Sequence, residues 1–203
     1  HQMIKTGLNA KMENSHDLAV VYTPGVAAPC LAIKEEEDKS LELTWRGNVV
    51  AVISDGTRVL GLGDIGPAAA MPVMEGKSAL YKRFGNIDAI PIVLNTKDKD
   101  EIVRTIRILE KSFAGINLED FSSPKCYDIE DELKATMNIP VFHDDQHGTA
   151  IAALAAVLGA LRLIKKGIGK AKVVMFGAGA AGTAIARLLL EDGVKPENMT
   201  VLN

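Results

Sequence analysis

Aromatic residues make up only 4% of this 203-residue chain, and it contains two cysteines, Cys30 and Cys126. The cysteines lie far apart and outside any CxxC pattern, so neither a disulfide scaffold nor a thiolate metal site is expected. A reduced, cytoplasmic setting is the plain reading. Charge of one sign is also lacking. The net charge of -3 offers no basic face for nucleic acid or anionic lipid. The most apolar run, Thr149 to Leu161, meets Arg162 and falls short of the roughly 20 residues that a bilayer span needs. No membrane or nucleic-acid partner is therefore expected. His1-Gln2 ahead of Met3 is read as a sign that the native start lies elsewhere.

What is present is 47% hydrophobic and 24% charged, enough apolar residues for a normal core. Apolar runs alternate with helical patterns, which places the chain in the α/β class. Strands are expected at Val49–Ile53, Val59–Leu62, Ile90–Leu94, Gly115–Leu118, Val141–His143, Val173–Phe176 and Thr200–Leu202. Helices are expected at Met74–Phe84, Lys99–Ser112, Ile129–Met137, Thr149–Lys165 and Ala180–Glu191. The second opens with a D-x-x-E start, Asp98 and Glu101. The stretch Tyr22–Pro29 reads as a loop, and a domain boundary is expected near Gly148.

G-x-G-x-x-G occurs twice. The motif Gly177-Ala178-Gly179-Ala180-Ala181-Gly182 follows a strand and opens a helix, the frame in which a turn and helix N-terminus hold a pyrophosphate. A ligand-free tight turn is the bland alternative. Gly61, Gly63 and Gly66 run into Pro67 and Pro72 before a helix is expected, so they read as a loop for close backbone packing. The acidic ribose ligand of a dinucleotide fold is expected after the next strand, where Asn203 stands, so NAD and NADP both remain open.

Two acidic pairs follow apolar strands, Glu119-Asp120 and Asp144-Asp145. Strand C-termini form the ligand-binding edge of an open α/β sheet. If the pairs are neighbours, they repel unless a cation intervenes, and oxygen donors suit Mg²⁺ or Mn²⁺. The alternatives are a helix cap at Asp144 or Asp145 and a solvated turn at Glu119-Asp120. His143 and His147 lack a third nitrogen or sulfur ligand and read as supporting histidines. Lys77 shares a helix face with Val73, Leu80, Tyr81 and Phe84, opposite Glu75, Ser78 and Lys82. It either snorkels outward or is held for chemistry, with its pKa lowered by desolvation. Tyr22 alone reads as a packed loop aromatic.

Together these segments resemble the malic enzymes, particularly the smaller bacterial type. The resemblance rests on Asp17-Leu-Ala-Val-Val-Tyr-Thr-Pro-Gly-Val-Ala-Ala-Pro29, Arg46-Gly-Asn48 and Asp55-Gly-Thr-Arg-Val-Leu-Gly-Leu-Gly-Asp-Ile-Gly66. It continues through Pro72-Val-Met-Glu-Gly-Lys-Ser-Ala-Leu-Tyr81, Gly115-Ile-Asn-Leu-Glu-Asp-Phe121, Phe142-His-Asp-Asp-Gln-His-Gly-Thr-Ala150 and the second glycine motif.

The resemblance implies a mixed α/β substrate and metal domain over residues 1–147, then the start of a Rossmann-type NAD(P)-binding domain over 148–203. It implies oxidative decarboxylation of L-malate to pyruvate and CO₂ in a homodimer. Glu119, Asp120 and Asp145 would bind the metal, Lys77 would be the general base with Asp144 supporting it, Tyr22 the general acid, and Arg58 a substrate contact. It also implies that the fold continues past Asn203, with further substrate ligands. Two rivals stand beside it: another metal-assisted decarboxylating dehydrogenase, and a non-catalytic binding or oligomerisation fragment.

Overall fold

The computed structural model describes residues 3–202. Four near-continuous apolar runs form parallel strands: β1 (Val49–Ser54), β2 (Asp88–Val93), β3 (Gly115–Leu118) and β4 (Val141–His143). The inner two, β1 and β3, are buried on both faces, and the edge strand β2 is half-buried. Their order is β2-β1-β3-β4. Ile53 pairs with Leu118, and Leu118 with His143, so β1, β3 and β4 end level with one another.

Helices cover both faces. Helix α4 (Pro67–Gly85) packs on β1 and β2 through Met74 against Val52 and Ala89. On the other face α5 (Lys99–Ile108) and α6 (Lys125–Thr136) bury Ile102, Ile106, Ile129 and Leu133 in the main core. Each such side chain contributes about 1.5–3 kcal/mol on burial, which outweighs the charged residues on the outer faces. The D-x-x-E start of α5 forms half of a capping box: Asp98 accepts from the Glu101 amide at 2.8 Å. The Glu101 carboxylate accepts instead from the Thr96 hydroxyl at 2.6 Å.

Helix α7 (Asp144–Leu163) leads from β4 to a separate parallel pair, β5 (Val173–Phe176) and β6 (Met199–Leu202), joined through α8 (Ala180–Glu191). Helices α7 and α8 pack on each other. Three short N-terminal helices, α1 (Ser15–Val21), α2 (Ala27–Glu35) and α3 (Ser40–Leu43), bury none of their residues.

Several expected elements differ. Val59–Leu62 is a turn closed by a single bridge from Val59 to Gly63, because Leu60 takes a positive φ and breaks the extended run. Helix α4 begins at Pro67, seven residues before the expected Met74. Proline suits a first helical position, and Pro72 faces solvent, where the carbonyl it leaves unbonded can be hydrated. The Tyr22–Pro29 loop shortens because Ala27–Pro29 already belong to α2. Lys99–Ser112 divides into α5 and a 3₁₀ turn at Glu110–Ser112. Helix α6 starts four residues before Ile129, and α7 five before Thr149, so Gly148 lies inside a helix. At 20 residues α7 is long and apolar enough to cross a membrane by length and composition, contrary to the expectation from the shorter run Thr149–Leu161. Its first turn is instead occupied by the acidic pair at the sheet edge.

Candidate active site

The level strand ends place Glu119-Asp120 beside Asp144-Asp145, because each pair directly follows a residue of the Leu118–His143 register. Carboxylate oxygens of Glu119, Asp120 and Asp145 lie within 4.8 Å of one another. Neither aspartate of the second pair is a cap. His143 occupies the N-cap of α7, and Asp144 and Asp145 form its first turn, where the helix dipole favours negative charge. The Glu119-Asp120 turn is buried, not solvated.

Helix α4 brings Lys77 across from the other side of the sheet edge. Its ammonium bonds to Asp144 and lies 3.2 Å from Glu119. Burial alone would lower this amine, but the Asp144 and Glu119 carboxylates outweigh it and hold Lys77 above the ordinary lysine range. The expected lowering by desolvation is thus reversed, since two anions face one cation. The helix is also rotated from the expected apolar face. Ala70, Met74 and Ser78 form the buried stripe, Ser78 donating to the Met74 carbonyl, while Phe84 is 81% exposed.

The carboxylates respond in the opposite sense. Burial pushes Glu119 up to about 7, despite the opposing pull of Lys77 and Asn117. Burial and then Asp145 push Asp120 up to about 6. Asp120 also takes a positive φ, its amide donates to Asp145 Oδ2 at 2.8 Å, and its buried Oδ2 has no partner among the described residues. An orphaned buried oxygen among three clustered carboxylates, with Glu119 and Asp120 both pushed toward the protonated form, is what an oxygen-seeking divalent cation would satisfy.

Glycine at position 148 belongs to this geometry. A Cβ there would collide with Asp144 Oδ1, so the side chain that pairs with Lys77 requires a bare helix position one turn on.

Arg58 is exposed at the rim, its backbone amide donating to the Asp120 carbonyl at 3.0 Å and its guanidinium to the Leu60 carbonyl. Tyr22 is not brought into the cluster. It caps the C-terminus of α1, is 71% exposed, and its hydroxyl makes no hydrogen bond among the described residues.

Several participants escaped the sequence reading. Asn117 donates to Glu119 Oε2 at 2.9 Å and accepts from the Tyr81 hydroxyl at 2.9 Å. Asp55, fully buried at the end of β1, accepts from the Thr57 amide and hydroxyl and from Lys125, tying the Arg58 loop to the segment after Asp120. The strand-end rule that marked Glu119 and Asp144 applies equally to Asp55. Glu130 sits on the apolar side of α6, four residues after the buried Cys126, and that misplaced charge was its signal.

The second site is a turn. Gly177, with φ +94°, follows β5, Gly179 is the N-cap of α8, and Ala180, Ala181 and Gly182 form the first helical turn. A Cβ at Gly182 would strike the Gly177 carbonyl. Ala178 accepts from the Thr183 hydroxyl at 3.2 Å, which closes the turn. The strand–turn–helix frame is therefore as expected. The first glycine motif differs from expectation: Gly66 caps α4, and added Cβ atoms at Gly61, Gly63 and Gly66 would meet nothing within 4 Å. Close packing is not their reason; Gly63 and Gly66 adopt positive φ. Asn203, the expected ribose-side position, lies outside the described residues.

Comparison with known proteins gives two family matches: the malic enzyme N-terminal domain over residues 1–134 and the malic enzyme NAD binding domain over residues 146–200. The chain is 55% identical over 185 residues to the bifunctional malic/malolactic enzyme of Bacillus subtilis, covering 91% of this chain and 45% of that protein. It is 53% identical over 192 residues to the NAD-dependent malic enzyme of Geobacillus stearothermophilus, covering 95% and 40% respectively. The crystal structure of malic enzyme from Pyrococcus horikoshii superposes with a TM-score of 0.94 at 48% identity, covering 98% of this chain and 46% of that one. The chain thus spans less than half the length of these relatives.

Proposed function

This chain belongs to the malic enzyme family, and on that premise we propose that it carries the catalytic and metal-binding part of an NAD- or NADP-linked malate oxidoreductase. The reaction is oxidative decarboxylation of L-malate to pyruvate and CO₂. The observation that carries this reading is one arrangement: Lys77 bonded to Asp144 and Glu119, beside three carboxylates within 4.8 Å.

Glu119, Asp120 and Asp145 would hold Mg²⁺ or Mn²⁺, and the turn Gly177–Gly182 with the N-terminus of α8 would hold the pyrophosphate. A bound cation supplies Lewis acidity toward the substrate oxygens, and a bound nicotinamide accepts a hydride. In its neutral form Lys77 takes the C2 hydroxyl proton, and Asp144 orients its amine. Glu119 is shared between the two tasks. As a cation ligand it would no longer raise Lys77, and burial, which lowers the amine, would gain weight against Asp144. Arg58 faces the substrate carboxylate from the rim. Tyr22 returns a proton to C3; this role rests on the motif around Tyr22 alone.

We assign residues 1–147 to the substrate and metal domain and 148–203 to the start of the dinucleotide domain. Support comes from the two separate sheets, with α7 joining them. We further propose a cytoplasmic protein, on the strength of its sparse cysteines, and a homodimer, on the strength of the family resemblance. The deciding experiment is turnover of malate, isocitrate and 3-isopropylmalate with NAD⁺ and NADP⁺ in the longest native form of the protein. Malate is expected as the preferred substrate, and no turnover of malate overturns the proposal.

A further inference from the structure

Glu130 is a buried carboxylate that the proposed chemistry does not use. It is 3% exposed and accepts from four groups: the His143 amide at 3.1 Å, Gln146 Nε2 at 2.9 Å, His147 Nε2 at 2.8 Å and Lys134 Nζ at 2.7 Å. Burial pushes its carboxyl upward, but Lys134 and His147 prevail and hold it below the ordinary range. An ionised carboxylate only accepts hydrogen bonds. Gln146 must therefore turn its nitrogen toward Glu130, since the amide oxygen in that place would meet a second oxygen with no hydrogen between them.

The same Gln146 nitrogen lies 2.9 Å from His143 Nδ1. An amide nitrogen carries two hydrogens, so one serves Glu130 and the other serves the ring. Nδ1 is then an acceptor, and a neutral His143 carries its proton on Nε2. The ring is fully buried, and Nε2 lies 3.1 Å from Asp145 Oδ2, without the alignment of a finished hydrogen bond and without another partner among the described residues. That oxygen already accepts the Asp120 amide at 2.8 Å.

We infer that His143 is a positioning residue, an imidazole locked as the Nε2–H tautomer by Gln146 and Glu130, which holds Asp145 for metal binding without being a ligand itself. The inference rests on the reading of Glu119, Asp120 and Asp145 as the metal site. The Asp120 amide and His143 Nε2 both lie against Asp145 Oδ2, while Oδ1 accepts no hydrogen bond among the described residues. Orienting partners of this kind set ligand geometry and are worth roughly 10–100-fold in metal affinity.

The test is Mn²⁺ affinity by calorimetry, with no turnover required, in the longest native form of the protein. Gln146→Leu and His143→Leu are each expected to weaken Mn²⁺ roughly 10–100-fold. His143→Gln, whose amide nitrogen can stand where Nε2 stood, is expected to recover most of that loss. Unchanged affinity in both leucine variants overturns the inference. Asp145→Ala is measured alongside: if it too binds Mn²⁺ normally, the metal reading itself fails, whereas a loss confined to Asp145→Ala removes only the role of His143. Should a leucine variant fail to fold, long-range ¹H–¹⁵N spectra of the native histidines decide, with His143→Gln giving the assignment. A proton on Nε2 is expected, and one on Nδ1 overturns the inference.

Discussion

The carboxylate cluster and the glycine turn sit at comparable places, each just past the C-terminal ends of parallel strands, yet they are built in opposite ways. The turn is made by six consecutive residues, Gly177–Gly182, and works through backbone shape: a positive φ, an N-cap and a helix terminus. The cluster gathers side chains from α4, β3 and α7, with Lys77 and Asp144 separated by 67 positions in sequence. A local site depends on what each residue permits, whereas an assembled site depends on register and on charges meeting. Substitutions should therefore fail in different ways at the two.

The largest expected effect separates them outright. Lys77→Ala should lower kcat by roughly 10²–10⁴, the usual worth of a general base. Mn²⁺ affinity should not weaken, because the variant removes a cation from beside Glu119. Steady-state kinetics with Mn²⁺ calorimetry checks both halves, and near-native kcat would exclude the lysine as base. Next comes the turn. Gly182→Val drives a side chain into the Gly177 carbonyl, and overpacking of about 1–3 kcal/mol should weaken dinucleotide binding by about 5–150-fold. Mn²⁺ binding should be spared; parallel loss of both ligands would break the distinction between the two sites.

A subtler variant tests the assembled site through a local feature. Gly148→Ala should displace Asp144 from Lys77 and lower kcat by about tenfold, the equivalent of roughly 1.4 kcal/mol in the barrier. Dinucleotide affinity should be unchanged in the same preparation. Unaltered kcat would show that the Lys77–Asp144 pair is dispensable.

The last comparison is one of pH. Glu119 and Asp120 have carboxyls raised from ordinary values of 4.5 and 3.8 to about 7 and about 6. A raised carboxyl contributes its stability below the unfolded value and loses it as pH rises through the folded value. In chelator, the melting temperature should therefore fall between pH 4 and pH 8, less so in Asp120→Asn, and Mn²⁺ should recover more at pH 8. Thermal scans across that range decide it, and an Asp120→Asn profile that falls as steeply as the native one would contradict the burial argument.

Legibility in the sequence followed the same division. The strand–turn–helix around Gly177 was readable because its signals are contiguous. So was the pairing of acidic residues with strand ends, since a buried parallel strand announces itself as an apolar run. Helix α4 starts earlier than its sequence suggests because Pro72 reads as a barrier, and only its solvent-facing placement makes it harmless. The face of Lys77 differs from expectation for a related reason: periodicity marks apolar positions but cannot say which of them the sheet will cover. Ser78 went inside and Phe84 stayed out.

The sequence by itself determined the α/β class, the family, the glycine turn and the identities of the acidic residues, because each depends on local order or on composition. Tertiary structure alone decided that Lys77 is held protonated by two carboxylates and not lowered by apolar neighbours, and that His143 turns Nε2 toward Asp145. Protonation and tautomer depend on the distances between groups that the chain brings together from far apart, and those distances exist only after β3, β4, α4 and α6 have packed.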